Sequence, residues 1–129
     1  MKQSKNLRHK WYVFDVPVSV DLQLPGIYEW RIGDTALYVG KSCRLLNRIK
    51  EYPNNVRKLL AGRPYRLSDP EGYRSVHHEL RRAHDDLAAV TVTVLENCDR
   101  TDLSSREQHW ISVRRAAAET GGPRILNSG

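Results

Sequence analysis

The chain has 129 residues, 40% hydrophobic and 28% charged, a composition suited to one domain with one modest core. No apolar run approaches a bilayer-spanning helix. The polar start from Met1 to Lys10 lacks a secretory apolar stretch, and Cys43 and Cys98 match no metal-ligand spacing, so a soluble, reducing, cytoplasmic setting is expected. The net charge is +6 and the excess is local: between Lys41 and Arg82 eleven Lys and Arg stand against four Asp and Glu, as for a polyanionic partner or a solvated helix face.

In chain order, residues 1–20 read as an N-terminal extension with one short strand at Trp11–Phe14. Leu24–Ile32 alternates with period 2, Gly33 and Asp34 supply turn chemistry, and Ala36–Gly40 resumes as a second strand, giving a hairpin. From Cys43 the period becomes helical through Leu45, Leu46, Ile49 and Tyr52, and Pro53 is expected to end or kink that helix. Val56, Leu59 and Leu60 then form a second short helical piece, closed by Gly62 and Pro64. Tyr65–Gly72 is a polar loop. Val76, Leu80, Ala83 and Leu87 mark a helix over roughly 73–86, and Val90, Val92 and Val94 alternate with Thr91 and Thr93 as a strand. Ser104-Ser105-Arg106-Glu107 has the form of a capping box before a helix that runs to about Ala118. With so few strands, a small antiparallel sheet flanked by helices is the economical α/β (α+β) arrangement.

Four features bear on chemistry. Tyr28 and Tyr38 stand ten residues apart on the two hairpin strands. Such a pair is ordinarily structural, and the turn decides whether the two meet. A two-residue loop pairs Ile32 with Thr35 and sends them to opposite faces; one more loop residue brings both to one face. Arg48 and Tyr52, at i and i+4, share a helix face, and Lys41 sits where the second strand hands over to that helix. Glu107 is either the capping-box carboxylate or a functional one beside the inward stripe of Trp110 and Ile111, where a carboxylate needs a partner. His77 and His84 lie seven apart on one helix face; solvated helix histidines are the plain reading and phosphate contact the sharper one. His78-Glu79 fails as a zinc-protease motif because Arg82 stands where the second histidine belongs.

Taken in order, Gly26-Ile27-Tyr28, Tyr38-Val39-Gly40-Lys41-Ser42, Arg48, Tyr52, a helical Glu107 and Leu126-Asn127 resemble the GIY-YIG endonuclease superfamily. The likeness covers about Leu24 to Asn127, with Val39 in place of the usual isoleucine, and Tyr52 at a position that many members fill with histidine and the DNA-repair branch with tyrosine. It implies a three-stranded antiparallel sheet flanked by helices over residues 21–129. It also implies hydrolysis of DNA phosphodiesters with one Mg²⁺ or Mn²⁺, held by Glu107 and otherwise by water and phosphate. Gly26, Gly40 and Asn127 would support the site, and Arg48 would fork onto a phosphate oxygen. Tyr28 would be the general base or a relay, and Tyr38 would orient the water or Tyr28. A free tyrosine is ionised in about one molecule per thousand at pH 7, so Lys41, Arg48 and the metal are expected to favour the phenolate. Lys41, Arg44, Arg48, Arg81, Arg82 and His77 are the expected nucleic-acid contacts. RNA stays open beside DNA, as does a homodimer or a partner protein that supplies specificity. The alternative is a non-catalytic basic nucleic-acid-binding module.

Overall fold

The computed structural model describes residues 6–127, in the order β1 (Val13–Asp15), β2 (Gly26–Ile32), β3 (Ala36–Ser42), α1 (Leu45–Leu60), α2 (Ser75–Asp85), β4 (Val90–Asn97), a 3₁₀ turn (Arg100–Asp102), α3 (Leu103–Glu119) and β5 (Arg124–Ile125). Residues 1–5 of the expected extension, and 128–129, lie outside the described residues. The sheet is five-stranded and mixed, ordered β1-β4-β2-β3-β5, and not the expected three-stranded antiparallel sheet. Its middle, β4-β2-β3, is antiparallel; β1 adds parallel to β4 and β5 parallel to β3. Left alone, β4 and β3 would be edges with unpaired N–H and C=O groups, and these two short segments cover them. The expected strand at Trp11–Phe14 is shifted to β1, because Trp11 leaves the ladder for the core and stacks on Trp30 at 6.5 Å.

The β2–β3 turn has three residues. Ile32 pairs with Ala36, Gly33 takes φ +49°, and both the N–H and the hydroxyl of Thr35 bond the Ile32 carbonyl at 3.1 and 3.0 Å. This register pairs Tyr28 with Gly40 and Trp30 with Tyr38, so both tyrosines share a face. On that face Tyr28, Trp30, Val92 and Val94 pack with Leu45, Ile49, Tyr52 and Val56 of α1 and with Val76 and Leu80 of α2. On the other, Ile27, Leu37 and Val39 pack with Leu103 and Ile111 of α3. With helices on both faces, β2 is buried on both sides.

Two helical expectations change. Helix α1 runs unbroken through Pro53 and absorbs the expected second piece. An interior proline costs about 3 kcal/mol; the stripe of Ile49, Tyr52, Val56 and Leu60, all buried on both sides of it, holds the helix together. Helix α3 starts at Leu103 behind a 3₁₀ turn, with no side-chain cap bond, so Ser104 and Glu107 form no capping box and Glu107 is released from that role.

Candidate active site

Three tyrosines converge above β2 and β3. The Tyr28 and Tyr52 hydroxyl oxygens lie 2.5 Å apart, and the Tyr38 and Tyr52 rings have centroids 6.4 Å apart. Gly40 makes this possible: a Cβ there would sit 2.6 Å from Tyr28 Cε2, and closer still to Cζ and the hydroxyl, so only glycine opposite Tyr28 leaves room for its ring. Gly26 does the same at the start of β2, where a Cβ would stand 2.7 Å from Leu45 Cδ1 and against the Glu96 carbonyl. Arg48, one helical turn before Tyr52, lies over its ring at 5.9 Å and donates to Glu51 at 2.8 Å.

Burial governs the acidities. It pushes the Tyr28 phenol up to about 12, while the Tyr52 hydroxyl and the Arg48 guanidinium pull it down less strongly. Burial likewise raises Tyr52, reinforced by Tyr28 and Tyr38. Arg48 is held firmly cationic by the neighbouring tyrosines and Glu51, against its own desolvation. The protein groups by themselves thus hold Tyr28, only 1% exposed, as the neutral phenol.

The opposite sheet face supplies a second group. Lys41 donates to Ser104 Oγ at 2.9 Å and stands 3.7 Å from Glu107 Oε1. Ser104 and Glu107 are i and i+3 on α3, so both face β3, and that spacing was the available signal for Ser104, which the sequence reading took for a cap. The two groups meet beyond β5, at the open end of β3. There Tyr38, Lys41, Arg74, Glu107, Ile111 and Asn127 line a cleft of roughly 530 Å³. Arg74 Nη1 donates to the Tyr38 hydroxyl at 3.4 Å; nothing but its charge marked Arg74 in the sequence. Asn127 closes the wall, accepting from the Val39 N–H at 2.9 Å and donating to the Val39 carbonyl at 2.8 Å, so its amide continues the β3–β5 ladder.

No family model, curated protein or solved structure matches the chain.

Among the described residues, no group of three or more His, Cys, Asp or Glu is placed to hold a metal ion. Glu107 is the carboxylate of the cleft, 16% exposed on its side chain. One carboxylate on a roomy wall suits Mg²⁺ or Mn²⁺, which retain several waters. The remaining expected contacts separate. Arg44 is exposed at the start of α1, where its backbone exchanges bonds with Ser42 Oγ. Arg81 and Arg82 pair along α2 with Asp85 and Glu79 and do not line the cleft. His77 is neither a phosphate contact nor solvated. It is buried, its Nδ1 accepts from the Arg74 N–H at 3.0 Å, and the Asn55 amide lies 3.2 Å from its Nε2. Burial, then the charge of Arg74, lower it to about 4. His84 is also buried; it accepts from the Arg8 N–H at 2.8 Å.

Proposed function

We propose that this chain is a metal-dependent endonuclease of the GIY-YIG type that hydrolyses DNA phosphodiester bonds. One observation carries the reading. Tyr38, Lys41 and Glu107 arrive from two faces of the sheet onto one cleft; Tyr52 lies against Tyr38, and Tyr28 and Arg48 lie against Tyr52. Hydrolysis forms a bond from a water oxygen to phosphorus and breaks the bond to the leaving sugar oxygen; the water loses a proton and the leaving oxygen gains one. Positive charge must cover the phosphate oxygens as this happens. A divalent ion at Glu107 would polarise the phosphate and acidify its bound water.

The protein side chains divide the remaining work. Lys41 brings a cation to the cleft wall, and Arg48, over the Tyr52 ring and outside the cleft lining itself, offers a planar fork. In the free protein that fork holds Glu51, whose side chain is 55% exposed. Such a solvated pair contributes at most about 1 kcal/mol, so a phosphate displaces it at little cost. Tyr38 presents its hydroxyl to the cleft, tilted by Arg74, and orients the water. Tyr28 and Tyr52 remain neutral phenols whose shared hydrogen bond fixes Tyr38 and Arg48 from behind.

A second reading, a basic module that binds nucleic acid without cutting it, draws on the burial of Tyr28 and its pKa of about 12. The test is cleavage of supercoiled plasmid, linear duplex, branched DNA, single strands and RNA in Mg²⁺, Mn²⁺ or EDTA. Metal-dependent cutting of DNA by the unsubstituted chain, lost in Glu107→Ala and strongly reduced in Tyr38→Phe, is the expected result. Salt-sensitive binding with no cutting in any metal establishes the second reading instead.

A further inference from the structure

The segment between α1 and α2 is braced from within. Its two halves pair as Arg66 with Asp69, with N–H to carbonyl bonds of 3.3 and 3.1 Å, leaving Leu67 and Ser68 at the apex. Below the apex Tyr65 and Tyr73 meet edge to face at 5.3 Å, the Tyr73 hydroxyl donates to the Arg63 carbonyl at 2.8 Å, and Lys58 Nζ reaches the Tyr65 carbonyl at 3.4 Å. Gly72 lets the strands close, since a Cβ there would stand 2.6 Å from Tyr65 Cδ2. These contacts occupy the aromatic rings and hold the tip outward, and Leu67 is 95% exposed.

A lone exposed leucine usually means nothing. This one crowns an ordered hairpin among cations. Residues 57–74 hold Arg57, Lys58, Arg63, Arg66 and Arg74 against Asp69 and Glu71. Arg66 lies over the Tyr65 ring at 5.0 Å, and Arg74, at the hairpin's base, reaches the Tyr38 hydroxyl and lines the cleft. Flanking cations hold the two backbones of a duplex, while an aliphatic tip enters between base steps, at the cost of unstacking them. That cost is least where a base is already unpaired.

We infer that the 65–72 hairpin is a wedge whose Leu67 enters the base stack of the bound DNA, so the preferred substrate is a duplex interrupted by an unpaired or branched step. This rests on the nuclease reading and narrows its substrate class. The experiment uses the full chain carrying Glu107→Ala, bound to a paired duplex or to the same duplex with one unpaired nucleotide, each with 2-aminopurine at the neighbouring base. A rise in fluorescence on the interrupted duplex is expected. Adding Leu67→Ser should remove that rise and lower the preference for the interrupted duplex on the order of tenfold, and Leu67→Phe should restore both. The same rise with Leu67→Ser, or bound DNA with no rise, overturns the wedge. Cleavage by the unsubstituted chain without the rise overturns the wedge alone, whereas failure to bind any DNA overturns the nuclease reading with it.

Discussion

Gly40→Ala tests whether the tyrosine cluster is built as described. The added Cβ would meet the three outermost atoms of the Tyr28 ring at 2.6 Å or less. Tyr28 has no free space to yield into: it is 1% exposed, and the Tyr52 ring stands edge-on at 5.7 Å. Overpacking of this kind costs about 1–3 kcal/mol, and a displaced hydroxyl gives up its bond to Tyr52, about 1 kcal/mol more. The expected loss is therefore roughly 2–4 kcal/mol, read as a lower midpoint in urea by tryptophan fluorescence, with cleavage falling alongside. The decisive arm places Gly40→Ala in a Tyr28→Leu background. Leucine ends short of the clashing atoms, so there the substitution should be neutral or slightly stabilising, as glycine in a strand interior ordinarily is disfavoured. An equal midpoint loss in both backgrounds, or none in the native one, refutes the argument that Gly40 exists to seat Tyr28.

Arg48→Lys removes the fork but keeps the charge; cleavage should fall roughly a hundredfold with the urea midpoint nearly unchanged, and near-normal cleavage would sink the phosphate-clamp role. Because His77 is held at about 4 against an ordinary 6.5, the unfolded chain takes the proton first, so the contribution is complete above about pH 6.5 and is lost as pH falls towards 4. Native stability should drop over that window by roughly 2–3 kcal/mol more than that of His77→Asn, and parallel pH profiles would contradict the burial argument. Asn127→Ala leaves the Val39 N–H and carbonyl without their partner at the cleft wall. About 1–3 kcal/mol should be lost in urea, and an unchanged midpoint would mean that water replaces the amide freely.

The sequence disclosed the parts whose pattern is local. Val90, Val92 and Val94 announced β4, and all three point to the α1–α2 core. The tyrosine pair was visible, but its facing turned on one residue: Thr35 joins the loop because its N–H and hydroxyl both bond Ile32. Strands of two and three residues carry no periodicity: β1 was expected at Trp11–Phe14 and lies at Val13–Asp15, β5 was not expected, and they pair with the edges of β4 and β3. Glu107 was obscured by a capping motif that the 3₁₀ turn before Leu103 makes irrelevant. His84 looked solvated because its partner, the Arg8 N–H, lies 76 residues away; His77 looked solvated although it caps its own helix, accepting from the Arg74 N–H three residues earlier, and is buried besides.

The cleft is assembled from residues 38–41, 74–76, 107–111 and 126–127, and the bond that seals it spans 88 residues. The entropy of closing so long a loop is recovered only when the helices between have docked. The cleft is thus an all-or-none property of the folded domain. A fragment or intermediate with the hairpin and all three tyrosines, but without the pairing of 124–127, lacks a wall of the cleft, so on the proposed reading it should not cut DNA.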